Sequence, residues 1–183
     1  MRYLEQPYYV GLLSAAAIHG SAHQQPMVFQ VLTDRPTRSA HAGRVRIAFH
    51  MNRSLATLPV VTRQTETGSM RVSTPEGTAF DLIRFAAASG HLSKVATVLS
   101  ELAENIDPER LAGMADFYVV PEVQRLGYLM GVVGAAGLSN SLAGWLTGRR
   151  YRPILLAPGE AKGKAKADPR CRVVANATVD PDI

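Results

Sequence analysis

Residues 68–85 read GSMRVSTPEGTAFDLIRF, and the spacing of the apolar residues changes within this stretch. Residues 69–73 are predicted to form a short strand. Thr74, Pro75 and Glu76 then have the order of a helix start, with a capping hydroxyl, a proline at the first helical position and an acid in the first turn. The stretch therefore predicts a strand that runs directly into a helix, at the boundary between a strand-rich first half and a helical second half.

Upstream of this boundary, the sequence predicts one helix and several short strands. Residues 7–20 have helical spacing, and Gly20 stands where a left-handed C-cap would fall. Further strands are predicted over residues 27–32, 44–49 and 58–62. Because arginines alternate with apolar residues in the second of these strands, we expect a sheet with one polar, arginine-bearing face.

Downstream, stripes of apolar residues at helical spacing predict a series of short helices. They cover residues 75–90, 91–105, a short segment that starts after 107–109, then 120–133 and 138–146. Residues 158–169 (PGEAKGKAKADP) hold too few apolar side chains to offset the entropy of ordering, so we expect a mobile loop there. Residues 172–176 predict a last strand.

Residues 1–183 are therefore expected to form a single α+β domain. Its mixed or antiparallel sheet is predicted to have about four to six short strands from the first half, with the terminal strand added, packed against several helices.

Length and composition limit the class of protein. The chain has 183 residues, of which 46% are apolar, and this is enough for one domain with a buried core. No stretch approaches the roughly 18 to 20 uninterrupted apolar residues that a membrane span needs. A lone cysteine, Cys171, cannot form a disulfide within the chain, which favours the cytoplasm as the compartment.

The charged residues are unevenly distributed. The chain has a net charge of +5 and contains 16 arginines but only 4 lysines. Residues 27–84 hold eight arginines against four acids, whereas residues 101–122 hold six acids against Arg110. The planar guanidinium pairs bidentately with carboxylate or phosphate, so this bias indicates recognition of an anionic partner.

The arginines of the basic half are the candidate residues for binding a partner or a nucleic acid. They are Arg35, Arg38, Arg44, Arg46, Arg53, Arg63 and Arg71. The alternative is that they only form a solvated sheet face, and their spacing does not distinguish the two.

The histidines do not predict a metal site. His19 and His23 lie four residues apart, as in the helices of zinc proteases, but Gly20 stands between them and is expected to end the helix. Hydrogen-bonded structural roles are the expectation for this pair. Surface positions are expected for His41, His50 and His91.

Signatures of enzymes are also missing from the sequence. A metal-dependent nuclease needs clustered carboxylates with a nearby lysine, and the first half offers only Asp34, Glu66, Glu76 and Asp81, with no lysine before Lys94. Glu76 already serves the helix start, and Asp81 is expected to be an exposed helix residue. Neither common phosphate-binding loop motif occurs. We therefore predict a protein that is not an enzyme, with no catalytic residue, no metal and no cofactor.

Several blocks of the sequence resemble a known family. The blocks are YYVGLLSAAAIHGSAHQQPMVFQVLTDRP (8–36), GSMRVSTPEGTAFDLIRF (68–85), VATVLSELAE (95–104) and VQRLGYLMG (123–131). In this order they resemble the C-terminal domain of the AbiEi family of antitoxins from bacterial type IV toxin–antitoxin systems, over the range Tyr3 to Asp182. The final RCRVVANATVDPDI (170–183) looks like the closing strand of the family, with Cys171 where a tryptophan is expected.

The resemblance implies a role in abortive infection, a form of phage defence. Members of the family usually begin with a winged helix-turn-helix that binds the promoter of their own operon. Their C-terminal domain counters a nucleotidyltransferase-like toxin, without necessarily forming a stable complex with it. We expect this chain to lack the N-terminal module, so that it retains the second role and binds DNA weakly or not at all. The resemblance carries no catalytic residue.

Two functions remain open from the sequence. The first is a non-enzymatic antitoxin or regulatory domain. The alternative is a nucleic-acid-binding fragment of a transcriptional regulator, or a degenerate nuclease-like domain, in which the same arginines and the basic segment 162–172 contact phosphates. A natural short form and a truncated domain are likewise both compatible with the sequence.

Overall fold

The computed structural model of the chain describes residues 6–21, 26–66 and 68–182. Its strands are β1 Tyr8–Val10, β2 Val28–Thr33, β3 Ala40–Ala42, β4 Val45–Met51, β5 Val60–Thr65, β6 Gly68–Ser73, β7 Ile154–Leu155 and β8 Val173–Val174. Its helices are α1 Leu12–Ile18, α2 Pro75–Arg84, α3 His91–Leu102, α4 Pro108–Met114, α5 Val120–Val132 and α6 Ala136–Leu146.

Six of the strands form a mixed sheet in the order β3-β4-β2-β1-β6-β5. The pairs β1–β6 and β2–β4 are parallel, and the other neighbours are antiparallel. The predicted α+β class with a sheet of short strands is therefore confirmed. The predicted addition of the terminal strand to this sheet is wrong, because β8 pairs with β7 in a separate two-stranded ribbon.

The first element also differs from the prediction, since residues 7–20 form β1 and α1 instead of one helix. Residues 8–10 are all apolar or aromatic, and such a short run has no period that distinguishes a strand from a buried helix. Pairing with β2 and β6 makes it a strand. The end of the helix agrees with the prediction, because Gly20 follows it in the left-handed conformation, with φ of 82°.

Helix α1 lies beside β2 and close to β6, and its side chains satisfy the backbone of both strands. The Ser14 hydroxyl accepts a hydrogen bond from Gln30 N at 2.9 Å and donates to Val28 O at 3.5 Å. On the other side, His19 Nε2 donates to Ser73 O at 2.8 Å. The structural role expected for His19 is therefore present, whereas His23 lies outside the described residues. Burial lowers the pKa of His19.

The main core lies between the helices and one face of the sheet. Tyr9 and Leu32 point to this side from β1 and β2, and they are buried with Phe80, Leu99 and Leu126 from α2, α3 and α5. Burial of each such side chain stabilises the fold by roughly 1.5–3 kcal/mol. Helices α4 and α6 extend the same core, since α6 packs against both α5 and α4.

The predicted helix starts are confirmed. The Thr74 hydroxyl accepts from Gly77 N at 3.1 Å, with Pro75 in the first turn, and Asp107 caps α4 by accepting from Arg110 N at 2.8 Å. Helix α2 ends at Arg84, earlier than expected, and a 3-10 turn over Ala86–Ser89 leads to Gly90. Residues 158–169 contain turns and one bridge to β8, and the mobile loop expected there stays a prediction.

Gly11→Ala is expected to destabilise the protein by about 1–3 kcal/mol, because a Cβ at this position would overlap Leu32 Cδ1, and Leu32 is fully buried and cannot move aside freely. Gly137→Ala is the control, since a Cβ there meets no atom within 4 Å and alanine favours the interior of α6. Thermal unfolding of both variants tests this. A Gly11→Ala protein as stable as the wild type would contradict it.

Candidate functional site

All seven candidate arginines are exposed. Arg44 lies in the turn before β4 and Arg46 near the start of β4, at the β3 edge of the sheet. Arg63 and Arg71 lie on β5 and β6 at the opposite edge. The remaining three lie in connections that follow β2 and β4, and they are Arg35, Arg38 and Arg53.

The arginines do not share one face of the sheet, contrary to expectation. Arg46 lies on the same side of β4 as His50, whose ring contacts Phe85 next to α2, so this is the helix-covered side. Arg63 pairs with Met70 and lies on the opposite side of the sheet from Arg71. Alternation along a strand predicts which side of that strand each arginine occupies. The order of the strands in the sheet then decides which arginines are neighbours.

Two groups of arginines result, at the two edges of the sheet. The strands β2 and β1 separate β4 from β6. Three strand spacings of about 4.8 Å, together with a register offset of four residues at about 3.3 Å each, place Arg46 and Arg71 roughly 20 Å apart on the sheet. A flat partner would therefore have to span much of the sheet to contact both groups.

Six of the seven candidate arginines have no partner for their side chains within the described part of the chain. Among the described residues, these side chains form no hydrogen bond and no ion pair. They are Arg38, Arg44, Arg46, Arg53, Arg63 and Arg71. Arg35 differs, because its Nε donates to Gln6 Oε1 at 2.5 Å.

Arg84, the eighth arginine of the basic half, is part of the interior. Its Nε and Nη2 donate to the two carboxylate oxygens of Glu122 at 2.7 and 2.8 Å, and its Nη1 donates to Asn52 Oδ1 at 3.2 Å. The guanidinium carbon lies 4.6 Å from the centre of the Tyr118 ring. Burial would lower the pKa of Arg84, but the hydrogen bonds and charge of Glu122 outweigh it and raise the pKa. One residue of the basic region and one of the acidic region thus neutralise each other.

Asp81 is wholly buried, so its predicted exposure is wrong. Its Oδ2 accepts from the Tyr9 hydroxyl at 2.8 Å, and its Oδ1 accepts from the Tyr118 hydroxyl at 3.1 Å. Asn52 Nδ2 donates to the Tyr9 oxygen at 3.2 Å and so joins this group to Arg84. Burial raises the pKa of Asp81 to about 7, and it also raises the pKa of both tyrosines.

The buried polar network links β1, the turn after β4, α2 and the start of α5. The sequence contained a local sign that Asp81 is buried, because this residue stands within the otherwise apolar run AFDLI (79–83). Its partners were not, since Tyr9 lies 72 residues away and Tyr118 lies 37 residues away. The Asp81 carboxylate and the two tyrosines are enclosed in the core, so this part of the network positions secondary-structure elements.

The remaining titratable residues are dispersed. Glu76 is buried and its Oε1 accepts from Asp107 N at 3.4 Å. Within residues 6–21, 26–66 and 68–182, no three His, Cys, Asp or Glu side chains come together as metal ligands. His50 is half-buried instead of on the surface, its ring centre lies 5.6 Å from that of Phe85, and burial lowers its pKa. His41 and His91 are exposed.

Cys171 packs against α5 at Gly127, where an added Cβ would lie 2.9 Å from the sulfur. Gln124 Nε2 donates to Cys171 O at 2.8 Å, and burial raises the pKa of the thiol to about 11. A small side chain is therefore accommodated at the position where the family resemblance implies a tryptophan. In the part of the chain that the structure describes, no helix is long and apolar enough to cross a membrane.

An α+β domain with free exposed arginines and an enclosed carboxylate network has the features of a binding or regulatory domain. The sequence model of the AbiEi antitoxin C-terminal domain matches residues 9–132, which is more than half of the chain, and the chain belongs to this family. The family is one of antitoxin domains. The family suggests a role without catalysis.

A solved structure supports the fold. The chain is similar to the crystal structure of the RV2827C protein from Mycobacterium tuberculosis, with a TM-score of 0.65 and 16% sequence identity over 94% of this chain. The similarity covers 64% of that protein, so this chain spans slightly less than two thirds of its length. At this identity the likeness shows the fold alone. No curated protein matches the sequence.

Proposed function

We propose that this chain is the antitoxin domain of a type IV system, that it acts in the cytoplasm against a nucleotidyltransferase-like toxin, and that it does so without chemistry of its own. The family membership supports the antitoxin role. The observation that carries the mode of action is the set of exposed arginines without a partner among the described residues.

The physical argument concerns charge. Enzymes that transfer nucleotides bind Mg²⁺ through carboxylates, and the metal in turn binds the triphosphate, so the metal site is lined by negatively charged side chains. Arginines complement such a surface through bidentate pairs and also accelerate the encounter of the two proteins. The separate arginine groups at the two sheet edges suit a broad acidic surface better than a single narrow cleft.

Co-expression with a nucleotidyltransferase-like toxin encoded beside this chain tests the proposal. The wild type is expected to restore growth, and the triple variant Arg44→Glu, Arg46→Glu, Arg71→Glu is expected to lose this rescue. The matched control reverses three other exposed arginines, Arg110, Arg150 and Arg152, and changes the net charge equally. Circular dichroism and thermal unfolding establish that both variants are folded. Full rescue by the folded first variant, or no rescue by the wild type, would contradict the proposal.

A nucleic acid is the second candidate partner, because the same arginines and the exposed Lys162 and Lys164 could contact phosphates. Binding measured at several salt concentrations separates the two candidates. A nucleic-acid ligand predicts a steep loss of affinity as counterions compete. Absence of binding to RNA and DNA at low salt would remove this candidate and leave the protein partner.

A further inference from the structure

A groove of about 730 Å³ opens between the end of α2, the start of α3, α5 and the C-terminal region. Its walls are mostly aliphatic and include Ile83, Leu92 and Leu156. Among the described residues that line it there is no phenylalanine, tyrosine or tryptophan on which a flat ring could stack. The shape and lining suit a ligand with an aliphatic body.

Hydrogen bonds hold the walls of the groove in place. The Asn176 side chain donates to Ala157 O at 2.8 Å and to Glu160 O at 3.0 Å, and it accepts from Ala157 N at 3.0 Å. Opposite, the Ser93 hydroxyl accepts from Asp180 N at 3.2 Å, which fixes the C-terminal segment to α3. A ligand would therefore enter a groove that already has its shape.

One cation in the groove forms no ion pair with any residue that the structure describes. Arg125 lines the groove and is half-buried, and its Nε donates to Leu155 O at 3.1 Å. Within the described residues, its two terminal nitrogens have no acceptor and no carboxylate forms an ion pair with it. Glu122, the nearest acid along α5, is occupied by Arg84, and Glu160 of the lining is exposed to solvent. Burial lowers the pKa of Arg125, and the charge of Glu122 offsets this only in part.

We propose that this groove binds a carboxylate attached to an aliphatic chain, with the carboxylate paired to the terminal nitrogens of Arg125 and the chain lying against the partly exposed Leu92 and Ala157. The Nε bond to Leu155 fixes the guanidinium, so that its outer edge offers two parallel donors, the geometry that a planar carboxylate accepts. A single free cation matches a single negative charge better than a phosphate dianion. The carboxylate belongs either to a free aliphatic acid or to the C-terminal leucine of another chain.

Calorimetric titration of the wild-type protein with octanoate and octanamide tests the charge requirement. Octanoate is expected to bind at least about tenfold more tightly, because hydrogen bonds to a charged group are the stronger ones. Arg125→Gln should abolish the difference, while Arg38→Gln, an exposed arginine away from the groove, should preserve it. If Arg125→Gln does not fold, the comparison of acid and amide in the wild type decides alone.

A second pair of ligands distinguishes the two sources of the carboxylate. An acetylated peptide that ends in Ala-Leu is compared as the free acid and as the amide. Tighter binding of the peptide carboxylate than of the peptide amide indicates that the natural ligand is the C-terminus of a protein. Binding of octanoate without binding of the peptide indicates a small aliphatic acid. Both outcomes support the groove as a carboxylate site. Equal binding of octanoate and octanamide, no binding of either, or tighter binding of octyl phosphate would overturn the proposal. The rescue experiment uses other arginines, so the two proposals fail independently.

Discussion

Arg84→Met is expected to lower the free energy of unfolding by about 3 kcal/mol, because it leaves the Glu122 carboxylate charged and buried without its cation. The side chains of this pair are only 20% and 13% exposed, so water screens the remaining charge less than it would at the surface. The same change removes the donor to Asn52 and the cation above the Tyr118 ring. The reverse truncation, Glu122→Leu, is expected to cost a similar amount.

Urea unfolding of the single and double variants measures this effect. The double variant Arg84→Met, Glu122→Leu should recover most of the lost stability, because neither charge then remains unpaired. Asp116→Asn is the control, since its ion pair with Arg149 spans 3.5 Å and both side chains are largely exposed. Such a pair contributes at most about 1 kcal/mol. An Arg84→Met protein as stable as the Asp116→Asn control would contradict the expectation.

Local signals predicted the parts of the fold that depend on neighbouring residues. The caps at Thr74 and Asp107 act within three residues, and both helix starts were predicted correctly. The left-handed Gly20 is a further case, because a glycine is favoured wherever the backbone needs a positive φ. The prediction failed at Tyr8–Val10, a short apolar run without helical or strand periodicity. It forms a strand because it pairs with residues more than 20 positions away.

The candidate site shows the same division. Alternation along β4 placed Arg44 and Arg46 together, but the insertion of β2 and β1 between β4 and β6 separated them from Arg71. Counting charges along the chain could not show that Arg84 pairs with Glu122, 38 residues later. Linear charge patterns indicate which residues lack local partners, whereas only the fold shows which of them find distant ones.

Asp81→Asn is expected to become less destabilising, relative to the wild type, as the pH rises. Folding raises the pKa of the Asp81 carboxyl from 3.8 to about 7, mainly because burial disfavours the charged form. Between these values the folded protein holds a proton on Asp81 that the unfolded chain has released. The stability from this group is therefore fully present below pH 3.8 and is lost as the pH rises to about 7, by at most about 1.4 kcal/mol for each pH unit.

Urea unfolding of the wild type and of Asp81→Asn between pH 4.5 and 8, on a grid of about half a unit, tests this linkage. The amide does not titrate, so the variant should be less stable than the wild type at the acidic end and should gain on it steadily up to neutral pH. Glu104→Gln makes the same chemical change at an exposed position and should follow the wild type throughout.

The direction of the trend identifies the force that dominates in this network. The hydroxyls of Tyr9 and Tyr118 and the charge of Arg84 favour the carboxylate and lower the pKa of Asp81, whereas burial raises it. If the donors outweighed burial, Asp81→Asn would instead lose stability relative to the wild type as the pH rises. Tyr118→Phe removes one donor, so it should raise the pKa of Asp81 further and extend the loss of stability to higher pH. A shift in the opposite direction would mean that the Tyr118 hydroxyl does not favour the charged form of Asp81.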